Sequence, residues 1–161
     1  MRGGAIEQMM NRLETKIPPV ALTLLLAVAA WQLKALFPQT SLSFAFQTQF
    51  AACFLVAGAA ISLAGVYAFR VSHTTVNPTT PNGTTSIVTS GIYRYTRNPM
   101  YVGFGLALLA VVVHLGCLAS CLVLPLYVVY MNRFQIRPEE RVLLEKFGAP
   151  FAAYTCNVRR W

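Results

Sequence analysis

Two short polar clusters in an otherwise apolar chain carry the residue types that could do chemistry. The first runs from Thr85 to Gly105 and contains Arg94, Arg97, Asn98, Pro99, Gly103 and Gly105. Asparagine is a favoured helix cap and proline a favoured first helical residue, so a helix is expected to begin at Pro99. Its unpaired N–H groups and positive dipole end would face the preceding loop, an arrangement suited to an anion. Arg94 and Arg97 add charge, and Gly103 and Gly105 open the first turns to close approach by backbone or ligand. A plainer reading is a helix start, basic residues beside a membrane and a belt of interfacial tyrosines.

The second cluster runs from Arg133 to Phe151. A helix begun at Pro138 puts Glu140, Leu143, Leu144 and Phe147 on one face. A carboxylate at the head of an apolar face is costly unless it meets a cation. Glu139 and Glu140 could simply favour a helix N-terminus, which explains acids in a first turn but not one on a buried face. An anion site beside a cation site fits S-adenosylmethionine, which carries a carboxylate, an ammonium and a sulfonium. Methyl transfer is an in-line displacement that needs alignment and exclusion of water more than a strong acid or base.

Other chemistries lack their residues. His73 and His114 are isolated, and Cys53, Cys117, Cys121 and Cys156 form no C-x-x-C pair. The cysteines read as small apolar fillers rather than metal ligands or disulfide partners, and no metal is expected.

The elements that must position these clusters follow from composition. The chain has 161 residues, 56% hydrophobic and 11% charged, too little charge to coat a soluble domain. The net charge of +8 does not point to nucleic acid, because the basic residues flank apolar runs and form no stripe with interleaved aromatics. The expected fold is all-α: a single polytopic transmembrane bundle over residues 1–161, with about four spans at 17–37, 46–69, 100–115 and 117–134. The first run has the basic start and small residues of a signal peptide, but it continues through Trp31 and Phe37 and reads as a retained helix. The second is rich in small residues, which let helices approach closely in lipid. The third and fourth form a hairpin turning at Gly116, with Pro125 kinking the second arm.

Residues 70–99 and 135–161 are then the polar, cofactor-binding segments, the latter an amphipathic helical region stopping at Gly148 and restarting at Pro150. Arg159, Arg160 and Trp161 read as an interfacial anchor. Four spans place twelve Lys and Arg residues on one side and only Lys34 on the other. By the positive-inside rule, both termini and the polar clusters are cytoplasmic.

The run Val88-Thr-Ser-Gly-Ile-Tyr93, then Arg97-Asn-Pro-Met-Tyr-Val-Gly103, then Pro138-Glu-Glu-Arg, Phe147-Gly148 and Val158-Arg-Arg-Trp161 resembles the isoprenylcysteine carboxyl methyltransferase and phospholipid methyltransferase superfamily. The resemblance covers essentially residues 85–161. It implies S-adenosylmethionine bound by Thr85, Ser86, Ile87, Val88, Tyr93, Asn98, Pro99, Met100, Tyr101 and Glu139. Gly103 and Gly105 match the G-x-G of phospholipid members, and Glu139-Glu140 match their acidic pair. Prenylcysteine enzymes usually place histidine at Asn98, and often at Thr85. They also carry an arginine just before the glutamates that orients the substrate carboxylate. Gln135 stands there, flanked by Arg133 and Arg137.

The expectation is an integral membrane methyltransferase, similar to the isoprenylcysteine enzymes, with a lipophilic acceptor entering from the bilayer and steered by Arg133 or Arg137. Arg97 and Glu140 join the cofactor site. A phospholipid amine or a small thiol is the alternative acceptor. Rivals of other classes are a non-catalytic membrane scaffold and a membrane reductase, the latter without a glycine-rich dinucleotide fingerprint.

Overall fold

A computed structural model describes residues 17–71 and 87–161. Among them the chain is all-helical, without strands. We name six α-helices: α1 (Pro19–Leu36), α2 (Gln47–Val71), α3 (Pro99–Leu115), α4 (Val123–Tyr130), α5 (Arg137–Phe147) and α6 (Ala149–Asn157). Short 3₁₀ turns precede α3 at Gly91–Arg94 and α4 at Ala119–Leu122, and a π-helical stretch, Met131–Ile136, joins α4 to α5.

α1 and α2 are long and apolar enough to cross a membrane. Their side-chain distribution is the reverse of a soluble helix. Leu22, Leu26 and Ala30 line the buried seam of α1, while Leu24, Leu25, Val28 and Trp31 point outward. On α2 the buried positions include Ala51, Gly58, Gly65 and Ala68, and the exposed ones include Leu55, Val56, Leu63 and Tyr67. On α2, large apolar side chains outside and small ones inside suit lipid, where close backbone packing supplies the attraction. α3 is a shorter apolar helix of 17 residues.

The tightest seam lies between α2 and α3. A Cβ on Gly58 would stand 2.6 Å from the Gly103 carbonyl oxygen, and one on Gly65 about 3.1 Å from the Pro99 ring. α3 ends at Gly116, which takes φ 57° and ψ 44°, a left-handed conformation that glycine adopts without a Cβ clash. The chain then reverses into α4, as the hairpin reading expects.

Two expectations for the second arm are corrected. Pro125 lies in the first turn of α4, where its missing N–H costs no interior bond, rather than in mid-helix. Nor does α5 begin afresh at Pro138. Ile136 and Arg137 are already helical, and the π stretch runs directly into α5. Proline cannot donate to the ladder, so a helix crossing it must rearrange nearby, and a π-bulge is one of the known ways.

α1, α2, α3 and the helical run from Ala119 to Ile136 alternate in direction. Ser120 Oγ donates to Ala30 O across the Gly116 end, and Gln47 Nε2 donates to Val113 O and His114 O there. At the other end Ala68 packs with Val88 and Tyr93. All described acids, and every described Lys and Arg except Lys34, therefore gather at the end opposite Gly116.

Candidate functional site

The charged end is built from three segments. Gly91, at φ 61°, starts the 3₁₀ turn that swings Tyr93 inward. The Tyr93 ring meets Phe69 edge-on, 5.2 Å between centroids, beside Ala68 and Val88. This fixes the approach to α3 against the end of α2. Burial first, then the nearby Tyr154 and Glu139, push the Tyr93 phenol well above its ordinary pKa, so it stays a neutral hydroxyl.

The next residues run alongside segment 158–161. The Arg97 amide donates to Arg159 O at 2.9 Å. Thr96 Oγ1 and Asn98 Nδ2 both donate to Arg160 O, at 3.1 and 2.9 Å. Asn98 thus occupies the cap position of α3 without a side-chain cap bond. The amides of Tyr101 and Val102 both donate to the Asn98 carbonyl, and Pro99 has no N–H. The expected anion-binding helix start is largely used up by the fold itself.

Trp161 is also reassigned. It is half-buried, packs on the core beside Tyr127 and donates from Nε1 to Asn132 Oδ1 at 3.1 Å. It braces segment 158–161 against the π stretch rather than serving only as an interfacial anchor.

The two glutamates have different surroundings. Glu140 is clamped by two arginines: Arg160 binds it through Nε at 3.2 Å and Nη2 at 2.6 Å, and Arg97 Nη2 lies 3.0 Å away. Arg97 Nη1 also donates to Thr155 O. The expected meeting of an inward carboxylate with a cation occurs here, within the protein.

Glu139 has a different partner. The Tyr101 hydroxyl donates to its Oε1 at 2.6 Å. Although the residue is partly exposed, its carboxyl lies deep among protein atoms. Burial pushes its pKa up to about 7, against the pull of the Tyr101 hydrogen bond and with a further push from Glu140. A buried carboxyl held near its point of ionisation is suited to receiving a cationic group.

Sequence-predicted residues divide accordingly. Tyr93, Tyr101 and Glu139 come together. Thr85 and Ser86 lie outside the described residues, as does His73. Ile87 is half-buried and Val88 buried near Tyr93. Pro99 and Met100 face Gly65. Gly103 has Ser62 and Gly58 against the place a Cβ would take, and Gly105 has the Tyr127 ring at 3.2 Å. Both glycines serve helix packing, where a ligand opening was expected.

Arg97 and Glu140 form the clamp. Arg137 is exposed, and Arg133 lies over the Phe134 ring at 5.5 Å. Positions 133 and 137 fall about half a turn from 135 and 139, away from Glu139. On α5, Glu140, Leu143 and Phe147 are half-buried as the expected face requires, while Leu144, at 49% exposed, lies outside it.

Three residues gain roles that the sequence hid. Thr96 and Arg160 join segments 62 to 64 positions apart, without a periodic signal. Gln135, at the position where prenylcysteine enzymes carry an arginine, is 1% exposed, with both polar side-chain atoms lacking a hydrogen-bond partner.

Residues 46–150 match a protein family described as phospholipid methyltransferase. A Haemophilus influenzae protein, described as uncharacterized, is 39% identical over 62 residues, 38% of this chain and 98% of that protein. No solved structure matches the chain.

Proposed function

The chain belongs to the phospholipid methyltransferase family, within the membrane methyltransferase superfamily that also holds the isoprenylcysteine enzymes; from that premise we propose that it transfers a methyl group from S-adenosylmethionine to the amine of a membrane phospholipid. Family membership carries the coarser statement, a membrane methyltransferase. The observation that supports the finer one is the Tyr101–Glu139 pair, a carboxyl buried beside a neutral phenol at the charged end of the bundle.

Glu139 would hold the ammonium of the cosubstrate, with Tyr101 fixing the carboxylate rotamer and Tyr93 closing the side toward α2. When bound, S-adenosylmethionine would supply a sulfonium methyl to whose carbon the amine lone pair bonds as the S–C bond breaks, its electrons staying on sulfur as the thioether and the amine's proton passing to solvent. The chain's part is to align the two partners and keep water out, the main demands of such a displacement. The Arg97–Glu140–Arg160 clamp keeps α5 and segment 158–161 in place over the site.

We read α1, α2, α3 and the helical run from Ala119 to Ile136 as membrane-crossing, with the charged end cytoplasmic by the positive-inside rule. The third and fourth are short for a core of about 30 Å, so the site lies low, where a phospholipid head group can reach it. A prenylcysteine carboxylate is the rival acceptor. The stripe that carries Glu139 offers it the uncharged Gln135, while Arg133 and Arg137 lie off that stripe.

The test is titration calorimetry of S-adenosylmethionine against protein in detergent. Replacing the Glu139 carboxylate by an amide, Glu139→Gln, is expected to weaken binding about 100-fold, in line with losing one partner of a buried charged hydrogen bond. Wild-type affinity in this variant sinks the assignment. Labelled-methyl transfer onto phosphatidylethanolamine and onto a farnesylated cysteine then separates the two acceptors.

A further inference from the structure

Gln135 sits in the π stretch between α4 and α5 and is almost fully buried. Neither its Oε1 nor its Nε2 has a hydrogen-bond partner. Such an amide is destabilising unless something supplies a donor and an acceptor together. Its direction is fixed by its neighbours on the helix. Tyr127, Met131, Gln135 and Glu139 follow at intervals of four. Tyr127 donates to Tyr101 O and Glu139 accepts from the Tyr101 hydroxyl, and Met131 is fully buried between them.

In a pure α-helix every fourth residue over-rotates by about 40°, so a stripe of four would drift off the α3 side. The wider π turn takes that drift back, and Gln135 stays in line with Glu139. π-bulges are frequent at functional sites.

Gln135 lies one turn, about 6 Å, nearer the bilayer than Glu139, toward α4, whose Leu126, Val128 and Val129 are exposed. A head group entering from lipid would meet it before reaching the acid. We infer that Gln135 positions and selects the methyl acceptor: Oε1 accepts an N–H of a lipid amine while Nε2 donates to an oxygen of the same head group. This rests on the reading of the chain as a phospholipid amine methyltransferase. A neutral amide offers no charge to a carboxylate, and a fully methylated ammonium has no N–H for Oε1. The same contact therefore discriminates against a prenylcysteine acceptor and against the fully methylated product.

The experiment is thermal unfolding in detergent with short-chain phosphatidylethanolamine or phosphatidylcholine, without S-adenosylmethionine. The wild type is expected to bind phosphatidylethanolamine at least tenfold more tightly. Gln135→Leu removes the unpaired amide at similar volume. It is expected to raise the lipid-free midpoint by about 2–4 °C, to bind both lipids alike, and to leave calorimetric affinity for S-adenosylmethionine within twofold.

Gln135→Met repeats the test should the leucine variant misfold, with the same expectations. A wild type without preference between the lipids, or variants that keep that preference, overturns the inference. So does a loss of S-adenosylmethionine affinity equal to the loss for the lipid. A wild type that distinguishes the lipids but binds no S-adenosylmethionine leaves the role of Gln135 intact and defeats the proposed cosubstrate.

Discussion

The two ends of the helical bundle are closed by different chemistry. At the Gly116 end the described bonds join uncharged groups, with main-chain carbonyls as the usual acceptors. Leu42 N–H donates to Gly116 O at 2.6 Å and Leu118 N–H to Thr40 O at 3.0 Å, with Gln47 and Ser120 side chains reaching main-chain carbonyls. At the opposite end, side chains do more of the work: Arg97 and Arg160 on Glu140, Asn98 on Arg160 O, Trp161 on Asn132 and Tyr101 on Glu139. A closure of this kind needs no ion pair. A side-chain closure depends on specific distant residues, and it can leave one acid for another task. Here two arginines satisfy Glu140, and among the described residues Glu139 accepts its hydrogen bond from the Tyr101 phenol.

The largest expected effect comes from breaking the charged closure. Glu140→Ala strands Arg97, whose side chain is only 11% exposed. Removing one member of a buried pair costs about 3–5 kcal/mol, and partial exposure of Glu140 and Arg160 reduces this to roughly 2–4 kcal/mol. Denaturant unfolding in mixed micelles measures it. An unchanged midpoint would mean that the clamp does not hold this end together.

Next in size is a pH dependence confined to the charged end. Glu139 has its folded pKa raised from 4.5 to about 7, so between those values the folded protein binds more protons than the unfolded chain. Ligand-free stability should therefore fall as pH rises from about 4.5 to about 7, by up to roughly 3 kcal/mol from this group. The difference between the wild-type and Glu139→Gln stability profiles isolates it. Affinity for a ligand ammonium should move the other way, rising as the carboxyl ionises toward pH 7. Parallel profiles for the two proteins would contradict the assignment of this shift to Glu139.

The smallest effect belongs to the Gly116 end. Gln47→Ala removes two bonds to Val113 O and His114 O, each 2.9 Å, in a region with access to water. The cost is about 1 kcal/mol, independent of pH over the same window. S-adenosylmethionine affinity should be unaltered, and a change in it would show that the two ends are coupled.

Much of this was legible in the sequence, for local reasons. The boundaries of α1, α2 and α3, the turn at Gly116, the stop at Gly148 and the restart at Pro150 follow from apolar runs, glycine and proline, all short-range signals. Small residues at Gly58 and Gly65 announced a tight helix contact. The identity of its partner, Gly103, was not announced, and that glycine was read as an opening for ligand.

The sequence by itself determined an all-helical chain with apolar runs long enough to cross a membrane, a family-wide motif order and a polar end rich in arginine. Only the tertiary structure decided which acid is spent on arginines and which stands beside Tyr101. Only the structure aligned Gln135 with Glu139. Both outcomes turn on the π stretch at Met131–Ile136 and on pairings between segments some 60 residues apart. Helical phase after an irregular turn, and contacts closed by a distant segment, leave no periodic trace in the chain, whereas caps, turns and apolar length do.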